Sequence, residues 1–169
     1  MKGVTSYSGL SKFYFQYLLR QLVQVGCLER PGITILDFGC GRGELKRLLK
    51  GANVIGYDIV PELSDVEDWR SVAFDVLVAN EVFYCFSEEQ LELLLLELEE
   101  KSKSIELVVG ISKQGLLNNI GKHLLGRPDA HSATRIGPKR EVEILERHCR
   151  INRKKNVMSL AHVYSLSFN

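Results

Sequence analysis

Apolar positions along the chain switch between two periods. From Ser11 to Val25 they fall at helical spacing, with Phe15, Leu18, Leu19, Leu22 and Val25 on one side and Gly26 as a stop signal. The runs "ITILDF" (33–38) and "NVIGYDI" (53–59) are short, continuous and β-branched, as strands buried on both faces of a parallel sheet are. Between them "GELKRLLK" predicts a helix of about two turns. "FDVLVANEVF" (74–83) is a third strand candidate. Ser87, followed by Glu88, Glu89 and Gln90, caps a helix whose Leu91, Leu94, Leu95 and Leu98 form one stripe. "IELVVGIS" (105–112) predicts another strand. The last stretch predicts a helix from Lys139 to His148, then strands "CRINRKK" and "AHVYSLSF" joined by a turn near Asn156. Alternating strand and helix signals, with no internal repeat or long linker, imply an α/β sheet.

Composition narrows this picture. At 169 residues, 45% hydrophobic and 25% charged, the chain suits one domain with a sizeable core. No apolar leader precedes a small-residue cleavage site, and "LELLLLELEE" is broken by glutamates, so neither export nor a membrane span is expected and a cytoplasmic location is. Cys27, Cys40, Cys85 and Cys149 form no C-x-x-C pair, which argues against a zinc knuckle or a redox centre. Reduced, mostly buried thiols and no metal are expected.

Charge is uneven. Residues 1–112 carry 11 basic and 17 acidic residues, net −6, whereas 113–169 carry 11 and 4, net +7. The basic end suits either an anionic partner or an edge hairpin kept soluble by Lys and Arg.

The stretch "ILDFGCGRG" (35–43) combines an acid with glycines at 39, 41 and 43, at the strand-to-helix turn where open α/β sheets bind ligands. The glycines allow a sharp turn and close approach of a ligand. Their G-x-G-x-G spacing departs from the dinucleotide fingerprint, and Asp37 is poorly placed beside a pyrophosphate. It suits a ligand carrying a positive group.

"LDFGCGRGEL" resembles the first motif of class I S-adenosylmethionine-dependent methyltransferases, whose cofactor bears an ammonium and a sulfonium. The resemblance covers most of residues 35–112. It implies a Rossmann-like, doubly wound, mostly parallel sheet with a C-terminal antiparallel hairpin, and methyl transfer leaving S-adenosylhomocysteine. It implies one domain over 1–169: a helical cap (1–30), a cofactor-binding core (33–112), a lid or recognition segment (113–138) and a final helix and hairpin (139–169). Cofactor residues implied are Asp37 near the ammonium, Gly39, Cys40 and Gly41 along the loop, Asp58 on the ribose hydroxyls with Ile59 beside it, Asp65 and Val66 at the adenine, and Asn80 by the methyl group. Phe74 stands only sixteen positions after Asp58, where the family fits a helix, a third strand and a loop. Loss of that helix or a vestigial third strand is therefore expected. Cys85 stands where many small-molecule members have a histidine, and no N-P-P-Y signature occurs.

For the acceptor side, His131 is the candidate base, with Glu81 and Tyr84 as further catalytic candidates and Thr134, Arg135 and Tyr7 as substrate-binding ones. Asp129 to Arg135 serves equally as an exposed cap before the next helix, and Tyr84 equally as core. The expected acceptor is a small molecule, anionic or linked to a lipid or sugar. RNA fits the basic end but lacks interleaved aromatics, and DNA is not expected. A non-catalytic cofactor-binding or scaffold subunit is the alternative from another class.

Overall fold

The computed structural model describes residues 10–113 and 136–169. In chain order the elements are α1 (Leu10–Gly26), β1 (Thr34–Phe38), α2 (Glu44–Leu48), β2 (Asn53–Tyr57), β3 (Val76–Asn80), α3 (Glu88–Lys101), β4 (Glu106–Ser112), α4 (Pro138–His148), β5 (Cys149–Val157) and β6 (Ala161–Phe168). The strands form one six-stranded sheet in the order β2-β1-β3-β4-β6-β5. The first four are mutually parallel, and β6 runs antiparallel to both β4 and β5. This is the mostly parallel α/β sheet with a C-terminal hairpin that the sequence implies. Because β2 and β3 lie on opposite sides of β1, the chain reverses direction at β1, and the crevice beyond its C-terminal end is the switch point.

The period-2 alternation of the strands builds two cores. Leu36, Leu77, Ala79, Leu107 and Val109 face the layer of α3 and α4, while Ile35, Val76, Val78 and Val108 face that of α1 and α2. Leu91, Leu94, Leu95 and Leu98 are all buried, as their stripe predicts, each stabilising by about 1.5–3 kcal/mol over exposure. Ser87 and Gln90 close a reciprocal capping box at the start of α3, so two otherwise orphaned N–H groups are satisfied.

Between β2 and β3 both the helix and the third strand are missing. Residues 58–75 contain only two 3-10 turns, Pro61–Leu63 and Trp69–Ser71. An aromatic cluster fills the space: Trp69, 3% exposed, meets Phe38 and Phe74, and Phe38 meets Tyr57 and Phe86. One indole covers the sheet face that a helical stripe would otherwise cover. The outer edge of β2 is met by the following loop. Asp65 N–H donates to Gly56 C=O at 2.8 Å, and Gly56 N–H donates to the Asp65 carboxylate at 2.7 Å.

Three local expectations change. Gly26 does not itself break α1; Cys27 takes the left-handed conformation (φ 49), and Gly26 is needed because a Cβ there would lie 2.6 Å from Val108 Cγ2 on β4. The hairpin turns at Val157–Leu160 rather than near Asn156, closed by Leu160 N–H to Val157 C=O at 2.9 Å with Met158 and Ser159 at positive φ. Asn156 instead pairs with His162 and accepts from Lys113 Nζ at 3.0 Å. The thiols are not mostly buried: Cys27 and Cys85 are exposed, and only Cys149 is fully enclosed. At the other end, β5 is the sheet edge, where Arg150, Arg153, Lys154 and Lys155 blunt strand-to-strand pairing.

Candidate functional site

Two loops meet beyond β1 and β2. Gly39, Gly41 and Gly43 all have positive φ, and the N–H groups of Gly39 and Cys40 both donate to Tyr57 C=O, at 2.7 and 3.0 Å. Asp58 ties the loops together. Its Oδ2 accepts from Gly41 N–H at 2.9 Å and its Oδ1 from Val60 N–H at 3.0 Å. A carboxylate has about four lone-pair sites, so each oxygen retains capacity for a ligand hydroxyl. Beside it, Ile59 is 90% exposed, an apolar side chain standing clear of the protein.

Asp65 is engaged within the protein. Its Oδ2 accepts from Gly56 N–H and from Lys46 Nζ at 2.9 Å, and these bonds hold its pKa below the usual range. Ser64 Oγ donates to Val66 C=O at 2.6 Å, which fixes the loop around both residues. The Cys40 thiol lies among the acids, donating to Leu63 C=O at 3.3 Å. Burial first, then Asp37, Asp58 and Asp65, push it up to about 12, so it is an un-ionised packing group.

Asp37 is the unusual member. It is 6% exposed near the C-terminal end of β1, and burial, then the charges of Asp58 and Asp65, push its pKa up to about 7. No hydrogen bond from a described residue offsets this. A carboxyl group with a raised folded-state pKa binds its proton more tightly when folded, so its contribution to stability is complete below its ordinary value and lost as pH rises through the raised one. Glu141, pushed up to about 8 by burial and then by Glu81, acts in the same sense. Asp65 acts oppositely only below its ordinary 3.8, and His162, lowered by burial and then by Lys113 and Lys154, opposes the trend below its ordinary 6.5. With two acids against one imidazole, the stability of the ligand-free protein is expected to fall between about pH 5 and pH 8.5 by on the order of a few kcal/mol, and its melting temperature with it. Thermal scans of the protein and of Asp37→Asn check this; the variant should show a flatter profile.

At the ends of β3 and β4 a second set of polar groups converges. Asn80 Oδ1 is buried without a partner among the described residues, and the absent Cβ of Gly110 makes room for it, since one would lie 2.5 Å away. Glu81, at φ 55, ends β3 by donating its N–H to Gly110 C=O at 2.8 Å, and its carboxylate accepts from Ser112 Oγ. Burial pushes the Glu81 pKa up against that hydrogen bond. Tyr84 C=O accepts from Ile136 N–H, which brings the start of α4 to this end of the sheet. A cleft of about 320 Å³ lies between α4 and strands β4 and β6, walled by Ile111, Pro138, Val142, His162 and Tyr164 and by the charged Lys139, Glu143 and Glu146.

The structure thus brings Asp37, Gly39, Cys40, Gly41, Asp58 and Asp65 to one crevice, with Ile59 and Val66 on its loops, and sets Asn80 at the end of β3 with Glu81 and Tyr84 beyond it. Tyr7, His131, Thr134 and Arg135 lie outside the described residues. Sequence reasoning missed Glu141 and Ser112. Glu141 had a signal, since it shares the helix face of Ile144 and Leu145 and so carries an acid on an apolar stripe.

The fold recurs in solved structures. Magnesium protoporphyrin IX methyltransferase (ChlM) from Synechocystis PCC 6803, with bound SAH, superposes with a TM-score of 0.61 at 16% identity over 99% of this chain and 90% of its own. The fold is that of the class I methyltransferases. The N-methyltransferase NodS from Bradyrhizobium japonicum WM9, in complex with S-adenosyl-L-homocysteine, shares this methyltransferase fold at TM-score 0.64 and 14% identity, over 92% and 87% of the chains. A protein from Pyrococcus horikoshii OT3 does so at 0.69 and 17%, over 96% and 92%. No family model and no curated protein matches the sequence.

Proposed function

We propose that the protein is an S-adenosylmethionine-dependent methyltransferase acting on a small-molecule acceptor. The observation that carries this reading is Asp37, a buried acid without a hydrogen-bond donor among the described residues, at the switch point of the sheet. A cationic group compensates such a carboxylate and a phosphate does not. The donor set around it fits the cofactor. Asp37 takes the ammonium; the opening over Gly41, where even a Cβ would meet nothing within 4 Å, admits the amino-acid part; Asp58 accepts the ribose hydroxyls with its remaining lone pairs. Ile59 and Val66 supply apolar cover for the adenine and Asp65 its polar edge, with Asn80 towards the methyl group.

The bound cofactor supplies an activated methyl group on a sulfonium. The chain's task is to hold an acceptor in line with it and keep water away. The cleft beside α4, part apolar and part charged, suits an acceptor with both an apolar body and a polar end, and His131, Thr134, Arg135 and Tyr7 complete the reading on the acceptor side.

Calorimetry tests the cofactor. S-adenosylmethionine and S-adenosylhomocysteine are expected to bind and NAD is not. Because a cation favours ionised Asp37, affinity for S-adenosylmethionine is expected to rise about tenfold from pH 6 to pH 8 and to lose that dependence in Asp37→Asn. Binding of NAD in place of both ligands overturns the reading.

A further inference from the structure

The cleft between α4 and strands β4 and β6 changes character along its length. Ile111, Pro138, Val142 and Tyr164 give it apolar walls, and its volume of about 320 Å³ stands at the small end of the range for small-molecule sites, about 300–1,000 Å³. Cations gather where β4 ends. Lys139 lines the cleft directly. Lys154 Nζ, on β5, lies over the ring of Tyr164, 5.2 Å from its centroid. An edge lysine kept only for solubility would extend into water; this one lies on a wall of the cleft. Lys113, just past β4, donates to Asn156 Oδ1 at 3.0 Å, and Asn156 is paired with His162. The His162 ring stands 5.8 Å from that of Tyr164, and burial, then Lys113 and Lys154, lower its pKa. The positive end of α4 starts at Pro138 on the same side, with no side-chain bond from its Gly137 cap.

The acids of the cleft oppose this only weakly. Glu143 is shared by Arg140 at 3.1 Å and Lys139 at 3.8 Å, and Glu146 stands about one turn further along α4, away from the cationic end. The rest of the chain holds little to answer these lysines: residues 1–9 and 114–135 contain one acid, Asp129, against four bases, Lys2, Lys122, Arg127 and Arg135.

We infer that this cleft is the recognition end of the acceptor site and takes an apolar monoanion, a carboxylate on an aryl or hydrocarbon body, with the charge against Lys113, Lys139, Lys154 and His162. The inference rests on the methyltransferase reading and narrows its substrate class. One negative charge suits the site, because a dianion would also face Glu143 and Glu146. Sheet register gives the reach. Asn80 pairs with Gly110, and Ile111 with His162, so the charged group sits two strand spacings, about 10 Å, from the proposed place of methyl transfer. The cleft therefore selects the acceptor by an end remote from the methylated atom.

The test titrates the whole protein, with and without S-adenosylhomocysteine, with benzoate, benzyl alcohol and benzylamine as probes of similar size. NMR follows the imidazole signals, and His162→Gln assigns the one in the cleft. Benzoate is expected to bind and to raise the His162 midpoint, since a nearby anion favours the imidazolium. Benzyl alcohol should bind at least about tenfold more weakly, and benzylamine should not compete. Lys139→Ala and Lys154→Ala should each weaken benzoate about threefold and together about tenfold, and added salt should weaken it in the parent. Lys155→Ala is the control for a merely basic surface, because Lys155 is bonded to Gln24 on α1 at 3.2 Å; it should leave benzoate affinity unchanged. Equal binding of benzyl alcohol, a His162 midpoint unmoved by saturating benzoate, or an equal loss in Lys155→Ala overturns the inference, as does the absence of benzoate binding in protein that binds S-adenosylhomocysteine. Benzoate binding in protein that fails to bind S-adenosylhomocysteine supports the anion site and overturns the methyltransferase reading instead.

Discussion

Gly39→Val is expected to destabilise the protein by about 2–6 kcal/mol and to abolish cofactor binding at accessible concentrations. Two costs coincide at this position. Its φ of 78 lies in the left-handed region that a β-branched residue resists, and a Cβ would stand 2.5 Å from Val82 Cγ2 and 3.2 Å from Val82 Cγ1. Neither side can give easily, because Gly39 N–H is fixed to Tyr57 C=O at 2.7 Å and Val82 packs against the aromatic core. Gly41 differs: its φ is 51, but a Cβ would meet nothing within 4 Å, so Gly41→Ala strains the backbone without a clash. Urea unfolding checks the order, Gly39→Val below Gly39→Ala below Gly41→Ala in stability. Adding Val82→Ala to Gly39→Ala should recover part of the loss by removing the steric cost and leaving the conformational one. A Gly39→Ala protein as stable as the parent would refute the steric account.

The second large effect is at Asp58. Asp58→Ala removes the acceptor for two backbone N–H groups, Gly41 on one loop and Val60 on the other, and for the ribose hydroxyls of the proposed cofactor. Each hydrogen bond to a charged group is worth about 1.5–3 kcal/mol, so affinity for S-adenosylmethionine should fall by at least about a hundredfold. Asp58→Asn separates the roles. Its amide keeps the shape but turns an N–H₂ towards either Gly41 N–H or Val60 N–H, two donors facing each other, so it should recover only part of the affinity. Calorimetry of the three proteins gives the ranking. If the asparagine variant binds as tightly as the parent, the carboxylate is not the element that closes the loops.

Elements encoded by short-range pattern were legible from the chain alone. The stripe of Leu91, Leu94, Leu95 and Leu98 gave α3 and its buried face, and the apolar runs around Ile35, Val54, Val76 and Val108 gave the parallel strands. Turn chemistry was less legible. Asn156 has the composition of a turn residue, yet Met158 and Ser159 take the positive φ angles, because pairing with β6 holds Asn156 opposite His162. Gly26 reads as a helix stop but serves the close approach of α1 to Val108. The short stretch after Asp58 announced that something was missing, but not that Trp69 would cover the gap.

The sequence by itself determined the order of strands and helices, the glycine turn after β1 and the acids at the ends of β1 and β2. Each of these depends on residues within a few positions of one another, and local sterics and periodicity suffice to fix them. Only the tertiary structure decided that Asp58 would spend hydrogen bonds on the loop bearing Gly41, that Asp65 would be held by Gly56 and Lys46, and that the Glu81 carboxylate would meet the Ser112 hydroxyl. Glu81 follows β3 and Ser112 ends β4, strands whose own patterns say which face is apolar but not what stands opposite. Sheet register sets their neighbours, and burial at the strand ends pushes the Glu81 pKa up.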